Sequence, residues 1–207
     1  MKLCVVLLML AFGANSALAA PTPEGAADMT QVLKSGPLPE LSSGPADAAV
    51  TIVEYASVTC PHCAAFDKNI LPKFKAAYVD TGKVRYLMRE FSRNPLDVAA
   101  FTLARCVGDD KAMATIELLF ATQDKWAFVD NPLEPLLTSL RPTGLAREKA
   151  MACLKDNDLI AKVRAITETA NKVVKVQGTP TFVIDGKTYG GELTMEDFDA
   201  LLKPLIK

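Results

Sequence analysis

The 207-residue chain holds a single histidine and no excess of either charge, with 23 basic against 24 acidic side chains. One imidazole, at His62, excludes Ser-His-Asp or Cys-His catalysis anywhere else and most His-rich metal sites. A formal net charge of −1 leaves no electrostatic footprint for nucleic acid or a membrane surface. Only one C-x-x-C is present, with no C-x-x-H beside it, so a zinc site built on it lacks two ligands. No repeat occurs. The one biased stretch is a Pro/Gly/Ser/Ala-rich lead-in between Ala20 and Ala49, expected to be partly disordered, with an edge strand around Leu38 to Leu41.

Long apolar runs are also absent after the N-terminus. There, Met1-Lys2 precedes Leu3 to Ala14 and then Ala17-Leu18-Ala19, the pattern of a secretory signal peptide cleaved after Ala19, with Ala20 as the neighbouring option. The alternative, a membrane anchor, needs about 18–20 apolar residues. Cleavage removes Cys4 and leaves an exported chain of about 185 residues, enough for one domain with a real core. Four cysteines remain, Cys60, Cys63, Cys106 and Cys153. An even number in an oxidising compartment suggests two pairs.

What the sequence does have is Cys60-Pro61-His62-Cys63, placed between a strand-like run (Val50 to Tyr55) and a helix-like run reaching Tyr78. A C-x-x-C at a strand-to-helix junction is a thioredoxin-type redox signature. Cys60 at the helix start is the expected nucleophile, because free N–H groups and the macrodipole favour an anion there. The His62 imidazole is expected to add to this, and Cys63 to be the more enclosed sulfur, leaving Cys60 exposed. A Cys60 pKa of about 4.5 lies within the range for such sites. It would stabilise the reduced form by roughly 3.4 kcal/mol at pH 7, making the pair roughly 70 mV more oxidising. The plainer alternatives are a structural disulfide and half a zinc site.

The remaining pattern reads as follows. Pro61 suits the first helical position, and Pro72 should kink the helix. Residues 84–88 form a second strand, parallel to the first. Five Ala/Leu-rich helical runs follow at 95–107, 110–125, 132–140, 144–155 and 157–175. Strand character returns at 181–184, Asp185-Gly186 signals a hairpin, and a last helix is capped by Thr194 with Asp197 three residues on. The layout predicts an α/β thioredoxin fold (β-α-β then β-β-α) with an inserted helical domain. The expected boundaries are a signal peptide at 1–19, a lead-in at 20–49, a thioredoxin-fold domain at 50–92 and 176–207, and the insertion at 93–175. Thr179-Pro180 precedes the strand expected beside Cys60. A cis bond there would turn the Thr179 backbone toward the active site, where an extended substrate could pair with it like an added strand.

The stretch from Glu54 through Cys63, the helical insertion and Thr179-Pro180 resemble the DsbA-type periplasmic thiol–disulfide oxidoreductases, over about residues 36–207. That resemblance implies that Cys60 attacks, that Pro61-His62 set the oxidising power and that Thr179-Pro180 bind substrate. It also implies that a buried Glu54 assists proton movement, against the alternative of a Glu54 that faces solvent. It further implies a second, structural disulfide between Cys106 and Cys153, against the alternative of two separate buried thiols. Such a loop of about 48 residues would contribute roughly 4 kcal/mol in the chain-entropy model. No cofactor or metal is implied. The implied partners are reduced secreted or periplasmic proteins and a DsbB-like membrane quinone-linked oxidase, with the chain itself a periplasmic monomer. Thr before the proline is commoner among disulfide isomerases of the superfamily, which keeps an isomerase or reductase, held reduced by a membrane partner, as the main rival. A chaperone or peptide-binding module is the non-enzymatic alternative.

Overall fold

The computed structural model describes residues 20–206, and the expected signal segment, with Cys4, lies outside the described residues. The lead-in is more ordered than its composition suggests. It supplies a two-residue strand β1 (Gly25–Ala26), one helical turn α1 (Met29–Val32) and strand β2 (Leu41–Ser43). Asp28 caps α1 by accepting from the Thr30 N–H at 2.8 Å. Its order comes from tertiary pairing: Gly25 lies opposite Thr188 at one sheet edge, and Leu41 to Ser43 lie antiparallel to Met88 to Tyr86 at the other.

The β-branched run Val50–Ala56 forms β3, buried almost throughout. The helix that follows is interrupted, as α2 (Pro61–Asn69), α3 (Leu71–Phe74) and a π-helical turn over Lys75–Val79. Pro72 cannot donate a backbone hydrogen bond into the preceding turn, which accounts for the break at Ile70. Strand β4 (Val84–Glu90) then pairs in parallel with β3, Val50 opposite Val84 through to Ala56 opposite Glu90.

The insertion comprises α4 (Pro95–Val107), α5 (Asp109–Ala121), α6 (Leu133–Ser139), α7 (Arg147–Cys153) and α8 (Asn157–Val173). The helical run expected over 110–125 stops at Ala121 and gives way to a 3₁₀ turn, Gln123–Lys125. Trp126 follows, fully buried, with its Nε1–H donating to the Leu119 carbonyl at 3.1 Å. Cys106 on α4 and Cys153 on α7 are joined by a disulfide spanning 47 positions. The chain returns as β5 (Thr181–Ile184), β6 (Lys187–Gly190) and α9 (Met195–Leu202). Thr194 and Asp197 form a reciprocal capping box at the start of α9, satisfying two otherwise orphaned donors.

The sheet order is β1-β6-β5-β3-β4-β2, with apolar layers on both faces. Beneath α2, α3 and α9, Phe66, Phe74, Phe182 and Phe198 cluster, with the Phe182 and Phe198 rings 5.5 Å apart and perpendicular. On the other face Val53, Tyr55, Leu87 and Val183 pack against Val32 and the end of α8. Among the described residues no helix is long and apolar enough to cross a membrane.

Candidate active site

The sheet register builds the site. β5 runs antiparallel to β3 with Thr181 opposite Tyr55, so residues 179 and 180 continue past the carboxyl end of β3. There the chain turns through Ser57 to Cys60, closed by the Cys60 N–H donating to the Ser57 carbonyl at 3.0 Å. Cys60 is therefore the residue preceding α2, with extended backbone, and Pro61 opens the helix. The Thr179–Pro180 bond is cis, and the Thr179 carbonyl oxygen lies 3.2 Å from Cys60 Sγ, accepting from it when the thiol is protonated.

Both sulfurs are free thiols, and both are enclosed: Cys60 is 2% exposed and Cys63 0%. This corrects the expectation that Cys60 would be the exposed sulfur, because the Thr179–Pro180 loop lies against it. Charge, rather than exposure, separates them. The Cys60 thiol is held down to about 5, chiefly by the hydrogen bond that the Cys63 thiol donates to it, helped by the Thr179 side chain and the backbone N–H groups of Cys63 and His62 and opposed by burial. Cys63 moves the other way, well above the ordinary thiol range, because it is buried, donates to Cys60 and faces the charge of Glu54. At neutral pH the pair thus holds one thiolate, at Cys60, and one proton, at Cys63.

Glu54 shares one face of β3 with Ile52 and Ala56, opposite the face of Val53 and Tyr55, and so points under α2. It is buried, and Tyr86 Oη on β4 donates to its Oε2. Burial raises its carboxyl to about 8, with Tyr86 opposing and Asp67 and Cys60 adding to the rise. His62 is placed otherwise than the sequence suggested. Its Nδ1 lies 2.7 Å from Glu192 Oε1, in the loop between β6 and α9, and its backbone N–H is among the groups that lower the Cys60 thiol. Cys106 and Cys153 lie in the insertion, bonded to each other and not to this pair.

A family model described as thioredoxin matches residues 38–204. The chain belongs to the thioredoxin family. Within it the chain is DsbA-like. It is 25% identical to alpha-DsbA1 of Wolbachia pipientis, whose crystal structure matches with a TM-score of 0.76 over 86% of this chain and 96% of that one. A Rickettsia bellii protein named "Putative protein-disulfide oxidoreductase" is 38% identical over 145 residues, 69% of this chain and 56% of that protein. A Bacillus anthracis protein named "Probable disulfide bond formation protein D" is 29% identical over 177 residues, 80% of this chain and 76% of that protein. The chain spans about half the length of the Rickettsia relatives it matches. The β-α-β and β-β-α units with helices between them are the thioredoxin fold that the sequence predicts.

Several residues that hold this thioredoxin-family site together carry no local sequence signal. Gln123, in the insertion, donates from Nε2 to the carbonyls of Val58 at 2.6 Å and Cys60 at 3.0 Å. Asp97, in the first turn of α4 and fully buried, accepts from Ser57 Oγ and from the backbone N–H groups of Thr59 and Arg93, each at 2.9 Å to its nearer oxygen. The helix start at residue 95 was legible, and Asn94 caps it, its Oδ1 accepting from the Asp97 N–H at 3.0 Å. That Asp97 also reaches the loop before Cys60 was not.

Proposed function

We propose that this chain is a protein thiol–disulfide oxidase that donates a Cys60–Cys63 disulfide to reduced exported proteins. The observation carrying this reading is the opposed ionisation of the two thiols, Cys60 held down to about 5 and Cys63 pushed up. In the oxidised form, a client thiolate attacks Cys60 Sγ. The Cys60–Cys63 bond breaks, Cys63 leaves with the electron pair and takes a proton, and a client–Cys60 mixed disulfide forms. A second client thiolate then attacks the client sulfur and expels Cys60 as its stable thiolate. The client loses two electrons and the protein ends as a dithiol. In this reading Glu54 supplies and recovers the Cys63 proton, supported by its burial, its carboxyl raised to about 8 and its electrostatic effect on Cys63. Thr179, whose carbonyl already meets the Cys60 sulfur, offers its backbone to an extended client.

The apolar N-terminal run supports export to a periplasm, and the family resemblance supports reoxidation by a DsbB-like membrane quinone-linked oxidase and action as a monomer. The isomerase or reductase reading keeps one observation in its favour, Thr179 before Pro180. The test is equilibration of the Cys60–Cys63 pair against glutathione. A thiolate at about 5 stabilises the reduced form at pH 7 by about 2 × 1.36, or roughly 2.7 kcal/mol, and makes the pair roughly 60 mV more oxidising than one built on ordinary thiols. A poise at or below the glutathione couple would turn the assignment to isomerase or reductase.

A further inference from the structure

Beside the Thr179–Pro180 loop lies a cavity of about 290 Å³ that the exchange chemistry does not use, lined among others by Ser92, Arg93, Asn94, Val98, Arg164 and Glu168. It is joined to both walls of the active site. Arg93 Nη1 lies 3.5 Å from Thr179 Oγ1, and Asn94 Nδ2 donates to Thr59 Oγ1, next to Cys60, at 2.8 Å. Thr179 in turn touches the Cys60 sulfur. The cavity is therefore two contacts from the reacting atom.

Its lining carries more positive than negative charge, Arg93 and Arg164 against Glu168. Two guanidinium groups line it. Glu168 lines it too, yet among the described residues neither Arg93 nor Arg164 is within salt-bridge distance of any carboxylate. The buried hydroxyl of Ser92 has no hydrogen-bond partner among the described residues. The N-terminus of α4 opens at the same place, but its dipole is already met by the buried Asp97 carboxylate, which accepts from the Arg93 N–H, so the two guanidinium groups carry the attraction. Fork-shaped donors match a carboxylate in a bidentate way that a lone ammonium does not.

We propose that this cavity is a client subsite for an acidic side chain, Asp or Glu, one or two residues from the client cysteine. The spacing follows from strand pairing along Thr179, which advances a client by about 3.3 Å per residue. This subsite rests on the exchange reading above and gives that exchange a preference among clients. The subsite selects sequence context around the cysteine, leaving the sulfur chemistry as described.

The experiment uses three dithiol peptides identical except for Glu, Gln or Lys two residues from the first cysteine. Single-turnover oxidation of each by the oxidised protein is followed at low ionic strength. The Glu peptide should react about five- to tenfold faster than the Gln peptide, the size of one charge-assisted contact, and the Lys peptide slowest. Salt at about 0.5 M should shrink that ratio toward one. Arg164 is exposed on α8, so Arg164→Glu should fold and should shift the preference toward the Lys peptide, while Arg93→Gln should flatten it. Equal rates for all three peptides, or a Glu preference untouched by both salt and Arg164→Glu, would overturn the subsite and leave the exchange reading standing. Oxidation of none of them would overturn both.

Discussion

Replacing Glu54 by Gln should stabilise the protein, and by an amount that grows with pH. The carboxyl sits at about 8 in the folded chain against an ordinary 4.5, with burial as the main cause. A raised carboxyl binds its proton more tightly when folded than when unfolded. Its stabilising contribution is therefore complete below about pH 4.5 and is lost as pH rises toward 8. At pH 7 the difference is about 2.5 units of 1.36 kcal/mol, or roughly 3 kcal/mol, that Gln does not suffer. Gln can still accept from the Tyr86 hydroxyl, so the hydrogen bond across β3 and β4 survives. The assay is urea denaturation of the wild type and Glu54→Gln at pH 4.5, 6 and 7.5, both as disulfides, so that the charge on Cys60 is removed. The variant's advantage should be near zero at pH 4.5 and a few kcal/mol at pH 7.5. A constant difference across the three pH values would show that Glu54 does not titrate as its burial requires, and would remove it as the proton store for Cys63.

Three further outcomes follow from the same geometry. Thiolate absorbance near 240 nm should titrate with a midpoint close to 5, and Cys63→Ala should move it upward, since the Cys63 thiol is the largest cause of the shift; an unmoved midpoint would mean that the backbone alone holds the anion. Cys60→Ser should abolish peptide oxidation while Cys63→Ser accumulates mixed disulfides on non-reducing gels, and accumulation by Cys60→Ser instead would reverse the two roles. Replacing Cys106 and Cys153 together by Ala should lower the melting temperature by up to about 16 °C, because cross-linking a loop of this length contributes at most about 4 kcal/mol; an unchanged melting temperature would show that α4 and α7 are held by packing alone.

What was legible in the sequence was local. The β-branched run at 50–55 became a strand one residue longer, and Thr194 and Asp197 became a capping box as read. Asp185-Gly186 became the tight connection of β5 to β6, with both residues at positive φ. Pro72 marked the broken helix because a proline's missing N–H acts within one turn. What was not legible depends on residues far apart in the chain: Gln123 to Cys60 across 63 positions, His62 to Glu192 across 130, Arg93 to Thr179 across 86. None of these has a period or a spacing. The enclosure of Cys60 was missed for the same reason, since what lies against it arrives from residue 179. The lead-in was read in part: the edge strand expected around Leu38 to Leu41 lies at Leu41–Ser43, while the order of the rest was missed because composition reports only low local propensity and that order comes from sheet edges that exist only once the rest has folded.

Those two edges have a meaning beyond architecture. A sheet that ended at β6 and β4 would present two rows of free N–H and C=O groups, and unfolded chains readily extend such rows. The lead-in covers each with a strand of two or three residues, Gly25–Ala26 and Leu41–Ser43, too short to offer a further ladder of its own. A protein that is to hold extended, half-folded polypeptides at one backbone position gains from having no second place for them to adhere. On the proposed exchange reading, the thirty lead-in residues would leave the Thr179 loop as the place where an extended client pairs with backbone.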